Sequence, residues 1–150
     1  MSELIRPERR WLYWLPALAV MVLVFVLSSQ SGLRVSEDAS VERPIRASAH
    51  LFSYALLAGL ILFALARGTR PGWRHVVVAF ALSVLYGASD ELHQSFVPDR
   101  AGRIDDLIVD TLGATVGLAI GWTVLSLRAR AAAARGATRG SAGPVDVSGD

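Results

Sequence analysis

Apolar residues along the chain fall into four blocks separated by charged clusters, the pattern of helices that cross a bilayer rather than of one soluble core. A spanning helix needs about 20 mainly apolar residues, within a range of about 17–25. The first block, residues 11–27, is an unbroken apolar run after Arg6, Arg9 and Arg10, with Trp11, Tyr13 and Trp14 where an interfacial aromatic belt would sit. Its Pro16 falls in the first turns, where a missing N–H matters least. A cleavable leader is the rival reading, but the run exceeds the 7–15 or so apolar residues of such leaders. The second block covers residues 47–66 and closes on Arg67 and Arg70. In the third, the apolar run from Val76 stops at Ala88, too early to span, so the helix is read as continuing through Asp90, Glu91, His93 and Gln94 and covering residues 75–96. The fourth, residues 107–127, has Asp110 one turn inside, with Asp105 and Asp106 as candidate N-caps. The expected fold is all-α, a polytopic membrane bundle of four transmembrane helices within residues 11–127. Residues 1–10 precede it, and residues 128–150, rich in Ala, Gly and Arg without apolar periodicity, are read as a disordered tail.

Composition supports the membrane reading: 53% of residues are hydrophobic and 19% charged, against about 45–50% and about 25% in soluble domains. With no cysteine, disulfides, thiolate zinc sites and cysteine nucleophiles are excluded. Net charge is +2, all 15 basic residues are Arg, and they are spread over every loop, so no nucleic-acid surface is expected. Their distribution sets the orientation, because cytoplasmic flanks are enriched in Arg. Ten lie on the side of the two termini and the second loop, with four of the 13 acids; five lie on the side of the first and third loops, with nine acids. Both termini are therefore expected to be cytoplasmic.

That orientation gathers a polar constellation at the outer face from three helices: Arg46, His50 and Tyr54; then Asp90, Glu91, His93 and Gln94; then Asp106 and Asp110, with Arg100 on the intervening loop. His50 and Tyr54, four apart, share a helix face. Tyr86, Asp90, His93 and Gln94 are read as a second stripe, and Asp106, Asp110 and Gly113 as a third. A charge facing lipid at mid-bilayer costs about 2.5–3.5 kcal/mol, so the stripes should face one another, with Arg100 approaching the carboxylates. Gly113, Gly117 and Gly121, at four-residue spacing, are helix-packing residues that let backbones approach, which places the fourth helix at the centre of the bundle.

Several chemistries fit these side chains. Ser28, Ser29 and Gln30 could simply end a helix, and the polar residues could simply knit the helices together. Imidazole and carboxylate ligands suit zinc or manganese, with His50, Glu91 and His93 as candidates, although no HExxH or other metal pattern is present. The same three are candidates for acid–base catalysis on a bound headgroup, and Arg46 and Arg100 for holding a phosphate. Intramembrane ionisable groups mark a functional site by default. The expected partners are membrane lipids; no cofactor is required, and the oligomeric state is left open.

At these residues the sequence resembles the VanZ-like family, small bacterial membrane proteins named for a member linked to low-level teicoplanin resistance. The resemblance runs from about Leu27 to Leu127. It is carried by Ser28-Ser29-Gln30, by Ile45-Arg46-Ala47-Ser48-Ala49-His50 leading to Tyr54, by Ser89 to Arg100, and by Asp106 to Thr111 running into Gly113 and Gly117. Two positions depart from the family pattern: Ala47 where Lys is frequent, and Ser53 where Glu is frequent. The resemblance implies a plasma (inner) membrane protein linked to the cell envelope or to glycopeptide susceptibility, and it adds a lipid-linked envelope precursor to the expected partners; it supplies no reaction. Three readings stand beside one another: a headgroup-binding protein, a metal-assisted or acid–base hydrolase or transferase of an envelope lipid, and a purely structural protein.

Overall fold

A computed structural model describes residues 7–31, 36, 38–98, 100 and 102–141, and all regular structure among them is helical. A 3₁₀ helix, Pro7–Trp14, leads into α1 (Leu15–Ser28), followed by α2 (Ala39–Ala66), α3 (Trp73–Gln94) and α4 (Ile104–Ser141). Four helical stretches, Arg10–Ser28, Ala39–Ala66, Trp73–Gln94 and Ile104–Ala137, are long and apolar enough to cross a membrane. Their outward faces carry large exposed apolar side chains such as Val22, Phe52, Leu85 and Ile120, which suits a lipid rather than an aqueous surround.

The boundaries differ from the hydropathy pattern for local reasons. Residues 11–14 belong to the 3₁₀ helix, and Pro16 sits at the start of α1. The second helix begins eight residues before the expected Ala47, at Ala39. Asp38 accepts the Ser40 N–H at 2.8 Å, and the Glu42 carboxylate accepts the Ser36 N–H at 3.0 Å. Pro44 lies in the second turn of α2 and cannot donate to the Ser40 carbonyl. The Ser40 N–H holds the Asp38 carboxyl below the usual carboxylate range. This cap therefore contributes above the unfolded carboxylate's pKa and is lost as pH falls through the lowered folded value. Helix α2 ends where Arg67 takes the left-handed conformation (φ 52°, ψ 39°) and Gly68 follows at φ 70°. At the start of α3, His75 Nδ1 accepts the Gly72 N–H at 2.9 Å. Helix α3 stops at Gln94 rather than at 96. The fourth helix does not end at 127: it runs to Ser141, through Ala131–Ala134, the strongest helix formers. The stretch 128–141, expected without regular structure, is thus helical; residues 142–150 and 1–6 lie outside the described set.

Helix α2, rather than α4, is the hub, since it packs against the 3₁₀ helix, α1, α3 and α4. It supplies half of the core cluster, including Tyr54, Leu57, Ala58, Ile61 and Leu62. Helices α2 and α4 run parallel. A Cβ at Gly113 would overlap the Leu51 carbonyl, one at Gly117 the Ala55 carbonyl, and one at Gly121 would stand 3.5 Å from Gly59 Cα. The paired positions advance together by four residues on both helices, so backbone lies on backbone over two turns. Helix α1 packs on α2 and α3; its buried residues are Ala17, Val24 and Ser28.

Gly117→Leu is expected to abolish the α2–α4 approach and the monodisperse folded peak in detergent. Gly136→Ala, where an added Cβ meets nothing within 4 Å, is expected to leave elution and melting unchanged. Size-exclusion profiles and thermal melts of both variants check this.

Candidate functional site

Because α2 and α4 are parallel and close, side chains at equal heights meet as rungs. Arg46 Nη2 lies 2.9 Å from Asp106 Oδ2, and one turn deeper His50 Nδ1 lies 2.9 Å from Asp110 Oδ1. Both rungs precede the glycine contact, which sets their spacing. Asp106 is therefore not an N-cap: α4 starts at Ile104, so Asp105 and Asp106 are in its first turn. Asp106 turns inward to Arg46, while Asp105 stays exposed near Arg103 at 3.5 Å.

Helix α3 closes the site from the third side. Gln94, fully buried, accepts from Arg46 Nη2 at 2.8 Å through Oε1 and donates from Nε2 to Asp90 Oδ2 at 2.9 Å. Asp90 Oδ2 also accepts from the Ser28 hydroxyl of α1 at 3.0 Å. Glu91 Oε2 accepts the Arg103 N–H at 2.7 Å, and a Cβ at Gly102 would overlap the Glu91 carbonyl. Gly102 and Arg103 therefore lie against the end of α3. Gly102 was not foreseen as a site residue; only the Gly-Arg step after Arg100 hinted at it. Among the described residues, Tyr54 Oη, Asp90 Oδ1, Asp110 Oδ2 and Arg46 Nε are buried without a hydrogen-bond partner.

Two residues are placed differently from expectation. Arg100 makes no carboxylate hydrogen bond or ion pair among the described residues. It donates from Nη2 to Leu27 O at 3.1 Å and from Nε to Gln30 O at 3.2 Å, with a longer 3.5 Å contact from Nη1 to Gln94 Oε1. It thus caps the end of α1, where free carbonyls favour a cation. Burial, and then the Arg46 charge, push its guanidinium below the ordinary value, yet an arginine stays protonated. The Val97–Arg100 turn is present, with Arg100 N–H on Val97 O at 3.2 Å; Asp99 lies outside the described residues.

His93 does not join the stripe of Tyr86, Asp90 and Gln94. It stacks on Phe25 of α1 with centroids 4.7 Å apart and meets Ser29 Oγ at 3.0 Å, so it is not beside His50. The residues with ligand atoms all within 4.8 Å of one another are His50, Glu91 and Asp110. Tyr86 also leaves the cluster, donating to Met21 O at 2.6 Å. Tyr54 lies beneath, its ring 6.3 Å from His50 and 6.2 Å from Tyr86.

Between α1 and α2 a cleft of about 180 Å³ reaches these groups. Its walls are Val24, Leu27, Ile45 and Ala49, and its polar lining includes Arg46, His50, Tyr54, Asp90 and Arg100. An apolar entrance above cationic, anionic and hydroxyl groups suits an amphiphile with a charged head.

Four helices able to span a bilayer, with polar and ionisable side chains from three of them gathered at one end, define a multi-pass membrane protein. The VanZ/LLP1 family model matches residues 13–126, and the chain belongs to that family. No curated protein and no solved structure matches it.

The Arg46–Asp106 rung, with side chains 28% and 12% exposed, should show a coupling of about 0.5–3 kcal/mol between Arg46→Gln and Asp106→Asn. The exposed pair Arg103 and Asp105, at 48% and 79%, should show a value near zero. Double-mutant cycles by denaturation in mixed micelles measure both.

Proposed function

We propose that the chain is a plasma-membrane protein with both termini cytoplasmic, whose cleft binds the headgroup of a lipid or lipid-linked cell-envelope precursor at the outer face. The carrying observation is the cleft: apolar walls from Val24, Leu27, Ile45 and Ala49 lead to Arg46, Arg100, Tyr54 and Asp90. The walls take the first methylenes of an acyl or polyprenyl chain, and the guanidiniums take its phosphate. The Tyr54 hydroxyl, buried without a partner, is a donor available to the same head. An influence on teicoplanin susceptibility follows if the bound species belongs to the envelope pathway, and family membership supports testing it.

The His50–Asp110 contact at 2.9 Å favours a second reading, an acid–base hydrolase or transferase of that lipid. In it, Asp110 fixes the imidazole and His50 moves a proton on the bound head.

Arg100 braces α1, so its removal would confound binding with packing. The direct test fills the cleft at Ala49, which lines it and is itself exposed. Native mass spectrometry in mild detergent is expected to find a phospholipid or polyprenyl-phosphate species on the wild type and to find it lost from Ala49→Phe at unchanged melting temperature. Equal retention by both would overturn the cleft as its site. For the orientation, a cytoplasmic-type reporter fused to the C-terminus is expected to be active and a periplasmic-type one silent; the reverse refutes the arginine count.

A further inference from the structure

Charge balance in the buried cluster carries a step that does not rest on the headgroup reading. Asp90, Glu91, Asp106 and Asp110 are all buried, and the described guanidiniums that reach this cluster, those of Arg46 and Arg100, both meet Gln94 Oε1. Four carboxyl groups thus stand against two guanidiniums and the His50 imidazole in surroundings of low dielectric, where ionised groups must be compensated. The compensation is not spread evenly. Asp106 has Arg46 at 2.9 Å, and Asp90 has hydrogen bonds from Ser28 and Gln94. Among the described residues, no guanidinium hydrogen-bonds or pairs with Glu91 or Asp110. Their carboxylates, together with the His50 imidazole, form the one group among the described residues whose ligand atoms all lie within 4.8 Å of one another.

We infer that His50, Glu91 and Asp110 form a binding site for one divalent first-row metal ion, zinc or manganese, shared between α2, α3 and α4. A divalent ion compensates the two carboxyl groups that no described guanidinium touches. One nitrogen and two oxygen donors select these ions over magnesium and calcium, which prefer oxygen alone. An independent feature points the same way: Asp110 is 1% exposed, and its Oδ2 has no hydrogen-bond partner among the described residues. A buried carboxylate oxygen left so is costly, and a metal bond satisfies it. The donors are also held from outside, as metal ligands are. The Arg103 N–H fixes Glu91 Oε2 at 2.7 Å, and Gly87 keeps the wall beside Asp110 open, an added Cβ there standing 3.4 Å from Asp110 Oδ2 and 3.3 Å from Tyr54 Cε1. His93 is outside the site, turned to Ser29 and Phe25.

The test uses the full chain in detergent, stripped with chelator and titrated with zinc chloride and with manganese chloride, without added lipid. Calorimetry and metal analysis are expected to give about one ion per chain. Affinity should fall about 10-fold or more in Asp110→Asn and in Glu91→Gln, and stay unchanged in His93→Ala. Glu91→Gln keeps the shape of the side chain, so it serves if Asp110→Asn does not fold. Absence of stoichiometric binding of either ion to the folded wild type would overturn the site. Equal binding by wild type and both carboxamide variants would overturn it too. Lipid retention and its loss in Ala49→Phe are read separately, so failure of the headgroup reading leaves these outcomes distinct.

Discussion

The backbone contact between α2 and α4 is the constraint on which the other features rest. Where Gly113 and Gly117 meet the carbonyls of Leu51 and Ala55, no side chain fits between the helices. The axes are thereby drawn together at one height, and the two rungs nearer the helix starts follow from it. Arg46 faces Asp106 and His50 faces Asp110 because both helices advance four residues per turn from the same end. Side-by-side parallel helices also place two positive dipole ends together, which is unfavourable by itself. The acids in the first turns, Glu42 on α2 and Asp105 and Asp106 on α4, offset that arrangement. Close packing and the acidic character of this end are thus two sides of one geometry.

Gln94 joins the acidic and basic parts of the cluster. A carboxamide both donates and accepts, and here Oε1 takes the Arg46 guanidinium while Nε2 serves Asp90. Neither Glu nor Lys could do both. Through Asp90 the same network reaches Ser28 on α1, so one neutral side chain on α3 links the first helix to the α2–α4 rungs. In a bilayer such links matter more than in water, because lipid provides no hydrophobic drive for helix association.

Much of this was legible in the chain. Spanning segments are written in block hydropathy, and that pattern does not depend on tertiary detail. The four-residue glycine spacing on α4 announced a close helix contact, and the ionisable residues inside apolar blocks announced an inward-facing cluster. What could not be read were the pairings. His93 lies three residues from Asp90, and Gln94 four, so they stand on opposite sides of Asp90 around α3. Only the rotation of α3, with Phe25 and Ser29 waiting on α1, decides that Gln94 enters the cluster and His93 leaves it. The start of α2 was hidden because Glu42, Arg43 and Pro44 look like loop, whereas the Asp38 cap and its Ser40 contact begin the helix before them. The length of α4 was hidden for the opposite reason, an alanine run that has helix propensity but no apolar period.

Arg100 shows why charge pairing inferred from sequence can miss the larger role of a residue. Acids lie on both sides of it in the chain, so a carboxylate partner was the natural expectation. In the fold its nearest duty is to the carbonyls of Leu27 and Gln30, groups that every helix end exposes and that sequence does not mark. Helix α1 has few buried side chains, and its attachment at this end is polar: Arg100 on its terminal carbonyls, and Ser28 on Asp90. The cleft lies between this lightly buried helix and α2, while its deeper face is built on the α2–α4 contact. Its opening and its floor therefore answer to different forces. Changes at Arg100 or Ser28 act on the wall formed by α1, and changes at the glycines act on the charges beneath.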